Sequence, residues 1–326
     1  MRAIRFHAFG TPDVLSLEEV PDPQLTADSV LIKVAAAGVS YADIQMRSGV
    51  MKKHAWFPSP PLPFGPGFEV AGTVVEVGAN ADPSLVGRRV VSGLPTAGGY
   101  AELAVVPAAA VYPLPDGIDE HTALALHGQG ATAVGIVESA NLSGSEIVLV
   151  EAAGGGVGSV IVQLAKNAGA KVVAAASTED KLAAAKQLGA DTVVNYSEES
   201  WHEQIRKEYG KVDVVFEAVG GDTSRKALDL LAIGTGKMVL YGTASGELPE
   251  FSPLDIYMKG FTVTSFGPRR HVDPAYGLGL RDKAFQHHLN GSLHPLKGLS
   301  APLWEAAAVH SAIENRAAKG KSILIP

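Results

Sequence analysis

The sequence predicts an α/β protein of two domains, a doubly wound parallel sheet joined to a second, mainly β domain. Three observations predict it. The first is Glu146–Gly158, EIVLVEAAGGGVG, where an apolar run of strand type (Ile147–Val150) leads straight into Ala153-x-Gly155-x-x-Gly158. The second is an alternation of strand and helix patterns from there to Phe266. Val-rich strands with helices between them indicate a parallel sheet covered on both faces. The third is a first third made of short strand-like runs broken by glycine and proline. A chain of 326 residues is longer than one ordinary domain, which agrees with two.

Taken in order, Val30–Val39, Glu69–Gly78 and Arg88–Gly93 read as strands. Phe57–Phe68, FPSPPLPFGPGF, cannot be helical, because its prolines remove donors and fix φ; an extended surface connection is expected. Leu124–Ala140 reads as a helix with small residues. Beyond Gly158, the positions Val160, Ile161, Leu164, Ala165 and Ala168 recur at helical spacing and form one apolar face. Strands are then expected at Lys171–Ala176, Thr192–Tyr196, Val212–Gly220, Lys237–Gly242 and Phe261–Phe266, with helices between them, one near Trp201–Glu208. Ser322–Pro326 reads as a last strand returned to the first domain. The expected division is residues 1–126, completed by 268–326, and residues 127–267.

Composition narrows the function. An apolar fraction of 46% against 19% charged residues describes a soluble chain with a sizeable core. The net charge of −7 is spread without a basic run, which argues against nucleic acid or an anionic membrane as partner. No apolar segment is long enough to span a bilayer, and MRAIRFHAFG lacks the apolar core of a signal peptide, so a cytoplasmic location is expected. The absence of cysteine excludes disulfides, thiolate nucleophiles and cysteine-ligated zinc.

A glycine pattern between a strand and a helix is the context of a dinucleotide-binding turn. Glycine serves where the turn is tight, where backbone approaches a pyrophosphate and where helix packs on strand. Ala153 stands at the usual first glycine, and Gly155, Gly156, Val157 and Gly158 open the helix whose N–H groups and dipole favour phosphate. The next strand ends at Ala176–Ser177 with no Asp or Glu to accept from a ribose 2′-hydroxyl. Glu179 and Asp180 follow, where acids suit the start of a helix. With Ser177 and Lys181 at hand, a 2′-phosphate fits better, so NADPH is expected rather than NADH.

Gly38–Gly49 (GVSYADIQMRSG), Gly65–Gly78 (GPGFEVAGTVVEVG), Ala152–Lys166 (AAGGGVGSVIVQLAK) and Arg316–Pro326 (RAAKGKSILIP) carry a resemblance. Over nearly its whole length the chain resembles the zinc-independent medium-chain dehydrogenase/reductases, and among them the NADPH:quinone oxidoreductase (zeta-crystallin-like) family. The resemblance implies a GroES-like β-barrel catalytic domain, a Rossmann nucleotide domain, NADPH in the cleft and a homodimer. It assigns Lys181, Tyr196 and Arg316, with Ser177, to the 2′-phosphate. It places Thr132 at the nicotinamide end, with Gly242, Thr243, Ala244 and Phe266 along the cofactor. Tyr196 equally suits a strand-end aromatic covering the sheet, and Arg316 a helix C-cap.

Zinc-dependent members of that superfamily place a cysteine where Ser40 stands and a histidine where Phe68 stands, and they carry a four-cysteine lobe that is missing here. A hydroxyl and a phenyl ring do not replace thiolate and imidazole, so no metal is expected. Among the histidines, His287 and His288 are adjacent and diverge on a helix, and His121 and His127 flank one. Metal-free hydride delivery from NADPH to a quinone or conjugated carbonyl is the expected chemistry. Ser40 and Tyr41 are the candidate hydrogen-bond donors to the developing oxyanion. The family commonly has asparagine at Ser40 and tyrosine at Gln45, so Tyr41 either takes over the phenol's role or packs against the barrel. Arg47 matches the family, with a salt-bridged role as fitting as ligand contact, and Asp43 suits a turn better than a base. An enoyl or enone reductase of the same superfamily is the alternative, and a non-catalytic NADPH-binding crystallin-like protein is an alternative of another class. Acceptor choice is expected on the loops Met51–Phe64 and His271–Leu280.

Overall fold

The fold is that of a computed structural model, which describes residues 1–50, 59–267 and 272–326. It divides into two compact units: Met1–Gly128 with Lys297–Pro326 (unit 1), and Gln129–Leu296 (unit 2).

Unit 1 is built on strands. β1 (Arg2–Arg5) and β2 (Ser16–Glu19) form an antiparallel pair. β3 (Ser29–Val39), β4 (Glu69–Val77), β5 (Arg89–Gly93), β6 (Leu103–Pro107) and β7 (Tyr112–Pro113) belong to a larger sheet. Period-2 burial is plain in β3, where Val30, Ile32 and Val34 are buried and Lys33 and Ala35 are exposed. Gly72 lets β4 lie close on β3, since a Cβ there would sit 2.1 Å from the carbonyl oxygen of Lys33. Two helices belong here, α1 (Tyr41–Ser48) and α2 (Glu120–Leu124).

Unit 2 alternates: α3 (Ala131–Ala140), β8 (Ile147–Val150), α4 (Gly156–Asn167), β9 (Lys171–Ala176), α5 (Glu179–Gln187), β10 (Thr192–Asn195), α6 (Trp201–Tyr209), β11 (Val214–Glu217), α7 (Gly221–Leu230), β12 (Lys237–Leu240), α8 (Pro253–Lys259), β13 (Thr262–Thr264) and α9 (Pro274–Leu289). Every pairing in its sheet is parallel, in the order β10-β9-β8-β11-β12-β13. That is the doubly wound order, with its switch point between β8 and β11. Val148, Leu149 and Val150 of β8 and all but the first residue of β9 are buried, as strands covered on both faces require.

The chain then returns to unit 1 as β14 (Lys297–Pro302), α10 (Ala306–Glu314) and β15 (Lys321–Ile325). β15 pairs antiparallel with β3, which places the last strand in the sheet order β14-β15-β3-β4-β5-β7, with β6 also on β3.

Two particulars differ from expectation, and a third is described only in part. The return falls at Lys297 rather than 268, because α9 packs on α3 and buries Leu280, Ala284 and Phe285, while Gln163 of α4 bonds the main chain of His294. The helix expected over Leu124–Ala140 is interrupted: α2 ends at Leu124, and a wide π-type turn, Ala125–Gly130, precedes α3. Gly128 and Gly130 lower the helical preference there. Of the proline-rich stretch, residues 59–68 are described, and Phe64 exchanges two 3.0 Å main-chain bonds with Phe6. Most of the loop Met51–Phe64, and the start of His271–Leu280, lie outside the described residues.

Candidate functional site

The glycine turn leaves the carboxyl end of β8 beside the switch point. Ala152 takes φ +49°, an uncommon conformation for alanine. The N–H of Ala153 then bonds the carbonyl of Ala175 at 3.0 Å, and the N–H of Gly155 that of Ala152 at 2.8 Å. Ala153 is fully buried, so its methyl packs inside the turn where the usual glycine would stand. Gly155 is the N-cap of α4, and Gly156, Val157 and Gly158 form its first turn. A Cβ on Gly158 would lie 2.3 Å from the carbonyl oxygen of Ala152, and one on Gly156 would overlap the amide of Gln129. Only glycine permits this close turn, and the first N–H groups of α4 point out of it without helical acceptors.

The residues expected at the ribose end lie at two strand-to-helix junctions, β9–α5 and β10–α6. Ser177 follows β9, and its Oγ is buried with no hydrogen-bond partner. Lys181 lies in the first turn of α5, with its stem packed so closely on Gly154 that a Cβ there would be 2.5 Å away. Tyr196 follows β10, donates its N–H to Ala176 at 3.1 Å and packs half-buried on the core. Thus unit 2 brings Ser177, Lys181 and Tyr196 to the carboxyl edge that holds the glycine turn.

Thr132 stands in the first turn of α3. Gly242, Thr243 and Ala244 follow β12; a Cβ on Gly242 would lie 2.8 Å from the carbonyl oxygen of Ala218, to which the Ala244 N–H donates at 2.9 Å. Phe266 is buried, its ring pressed on Gly135 of α3, so the side chain itself serves packing.

In unit 1, Ser40 is the N-cap of α1, and its role there is reciprocal. The hydroxyl donates to Asp43 Oδ2 at 2.7 Å, and the same oxygen takes the Ser40 N–H at 2.8 Å. The Ser40 proton is therefore engaged by a buried carboxylate, which also accepts the Gly67 N–H at 2.9 Å. Burial pushes the Asp43 carboxyl above its ordinary value. Tyr41, next along, is exposed; partial burial raises its phenol, the nearby Arg316 works against the rise and Glu314 adds to it. Arg316 belongs to unit 1, just past α10, at φ +57° with its N–H on Ile313. It therefore occupies the left-handed position that ends a helix. Arg47 is buried and spans Gly10 and Glu314, a structural use.

Beside Ser40 and Phe68, unit 1 holds a buried ion pair. Lys321 of β15 is wholly buried; its Nζ donates to Glu69 Oε1 and, at 3.2 Å, to the carbonyl of Val39. Ser40 and Phe68 supply no metal donor, and among the described residues no three of His, Asp and Glu gather as a metal site. Three of the described histidines that flank or end helices have partners of their own: His121 Nε2 meets the Lys321 carbonyl at 2.6 Å, His287 meets the Ser292 hydroxyl and His288 the carbonyl of Leu293.

Two residues of unit 2 escape the motif reading altogether. Glu151, at the end of β8, and Glu217, at the end of β11, are both fully buried, and both accept main-chain N–H groups of residues 218–220. A carboxyl closing an apolar run is a visible signal, but burial beside a second one depends on which strands become neighbours.

Residues 26–116 match the alcohol dehydrogenase GroES-like domain family, and residues 156–272 the zinc-binding dehydrogenase family. The quinone oxidoreductase of Homo sapiens is 34% identical over 335 residues, covering 100% of this chain and 98% of its own. The chain belongs to the quinone oxidoreductase family of the medium-chain dehydrogenase/reductases. A solved Escherichia coli quinone oxidoreductase complexed with NADPH superposes with a TM-score of 0.89 at 29% identity, covering all of both chains. A solved NAD-dependent alcohol dehydrogenase also superposes over all of both chains, with a TM-score of 0.84 at 28% identity. The superfamily fold thus accommodates both nucleotides and different reactions, so residues rather than topology must discriminate. Among the described residues, no helix is long and apolar enough to cross a membrane.

Proposed function

We propose that this chain is an NADPH-dependent quinone oxidoreductase that works without metal, as a cytoplasmic homodimer. One observation carries the cofactor choice: the buried Ser177 Oγ has no partner and follows β9, with Lys181 in the next helix, Tyr196 past the neighbouring β10 and no carboxylate closing the strand. A 2′-phosphate would satisfy that hydroxyl, whereas a 2′-hydroxyl would lack the carboxylate that NAD sites supply. The glycine cradle, too tight for any Cβ at Gly158, fits a pyrophosphate against main-chain N–H groups.

When bound, NADPH supplies the hydride. The chain's own work is positioning and charge. The turn Ala153–Gly158 and the α4 N-terminus hold the pyrophosphate, and Ser177, Lys181 and Tyr196 hold the 2′-phosphate; Arg316 is assigned to that phosphate by resemblance alone. Thr132, Gly242, Thr243, Ala244 and the main chain at Phe266 line the cofactor. Because Asp43 engages the Ser40 proton, Tyr41 is the donor to an acceptor oxygen, and Ser40 sets the start of the helix that carries it.

The test is NADPH and NADH oxidation against ortho- and para-quinones and linear enones, for the wild type and Lys181→Ala. Quinone turnover with a strong NADPH preference, and a KM for NADPH raised in the variant with that for NADH little changed, is expected. Turnover only with enones assigns the chain to double-bond reduction. NADPH binding without turnover of any acceptor assigns it to the non-catalytic crystallin-like class, and equal effects of Lys181→Ala on both nucleotides overturn the phosphate pocket.

A further inference from the structure

Glu151, the residue after β8, and Glu217, the last of β11, close the two neighbouring strands at which the sheet order reverses. Glu151 Oε2 accepts the N–H groups of Ala218 and Val219 at 3.1 and 3.2 Å, and Glu217 Oε1 accepts those of Val219 and Gly220 at 3.0 and 2.5 Å. The two oxygens left over, Glu151 Oε1 and Glu217 Oε2, are buried and receive no donor from elsewhere. Both carboxyls hold the same Val219 N–H, at 3.2 and 3.0 Å, which brings the two side chains together. Two ionised carboxylates so placed would repel in a low-dielectric interior, while one proton between them satisfies both oxygens. Burial first, and the Glu217 charge second, push the Glu151 carboxyl well above its ordinary value, and burial raises that of Glu217 as well.

The 218–220 turn that the pair holds is itself a support. The carbonyl of Ala218 accepts the N–H of Ala244, and that of Val219 accepts both the N–H of Ser245 and, at 2.6 Å, its hydroxyl. On the other side, Glu151 leads directly into the strained Ala152, and its own carbonyl accepts the Tyr241 hydroxyl at 2.6 Å. Resting on the NADPH reading above, we propose that Glu151 and Glu217 share one proton and act as a positioning pair, tying the glycine turn to the 242–245 segment. Loss of that proton at alkaline pH then weakens nucleotide binding. The groups facing the pair are Tyr241 from β12's end, Tyr196 beside that tyrosine, Ser224 of α7 and, across Gly221, Glu247. Burial keeps the Tyr241 phenol neutral well past its ordinary range, so it does not titrate first.

The experiment is calorimetric titration of the full chain with NADPH from neutral to alkaline pH, for wild type and Glu151→Gln, with thermal unfolding of the ligand-free proteins over the same range. The glutamine amide keeps an acceptor for Ala218 and Val219 and a donor for Glu217, but has no proton to lose. The wild-type Kd is expected to rise about tenfold per pH unit once the proton is gone, with Glu151→Gln flat. A raised folded-state pKa means that stability falls as pH climbs from the ordinary Glu value toward the raised one, and the variant should lack that slope. Identical pH profiles for wild type and variant in both measurements overturn the proposal. If no protein binds NADPH at any pH, the nucleotide reading fails, and the unfolding profiles still judge the pair. Should Glu151→Gln not fold, Glu217→Gln, which donates in the opposite direction, is measured in its place and must show the same flattening.

Discussion

Replacing Lys321 by methionine tests how unit 1 holds its buried charge. The Lys321 side chain is 0% exposed and that of Glu69 8%, and they join β15 to the first residue of β4. Gly38 and Gly128 close around the carboxylate: a Cβ on either would stand 2.7 or 2.5 Å from the Glu69 side chain. Enclosed in this way, Glu69 stays largely desolvated once the ammonium is gone, and Val39 loses a donor as well. Breaking one side of a buried pair costs about 3–5 kcal/mol, because the remaining charge stays desolvated. About 3 kcal/mol corresponds to a loss of amide protection of roughly a hundredfold. The assay is hydrogen exchange of β3 and β15 by mass spectrometry on the full chain. Adding Glu69→Gln removes the stranded charge and should restore about 2 kcal/mol. The reasoning is refuted if Lys321→Met exchanges within about fivefold of wild type, or if the double variant is no better protected than the single one.

Two further outcomes follow from the same geometry. Gly158→Ala places a methyl 2.3 Å from the Ala152 oxygen and 3.0 Å from the Ala153 Cα, both main-chain atoms, so the turn must shift at a cost of about 1–3 kcal/mol; NADPH affinity by calorimetry should fall about tenfold or more, and an unchanged Kd contradicts the cradle. His310 is buried with its Nε2 3.1 Å from the Tyr100 hydroxyl, and burial, then Arg47, hold its pKa down to about 3. Its neutral form therefore contributes stability that is complete above the ordinary histidine value and is lost as pH falls toward about 3. That contribution is on the order of 5 kcal/mol. His310→Gln should shift the acid-unfolding midpoint seen by circular dichroism to lower pH, and an unmoved midpoint counts against this assignment.

The amino-acid sequence by itself determines the parallel sheet and its glycine turn. Strands covered on both faces need unbroken apolar runs, and β8 and β9 show them locally, as does the spacing from Ala153 to Gly158. The Ser40–Asp43 spacing also carries a capping signature, which explains why the hydroxyl serves the helix before any substrate. Tertiary structure alone decides what lies far apart in the chain. The return at Lys297 depends on α9 settling on α3, and α9 shows little amphipathic pattern of its own to declare that face. Lys321 meets Glu69 across 252 residues, and Glu151 meets Glu217 only because β8 and β11 are neighbours in the sheet. A carboxyl's burial, its partner and hence its proton are properties of the folded neighbourhood, set by desolvation and by which strand ends adjoin, and no local pattern encodes them.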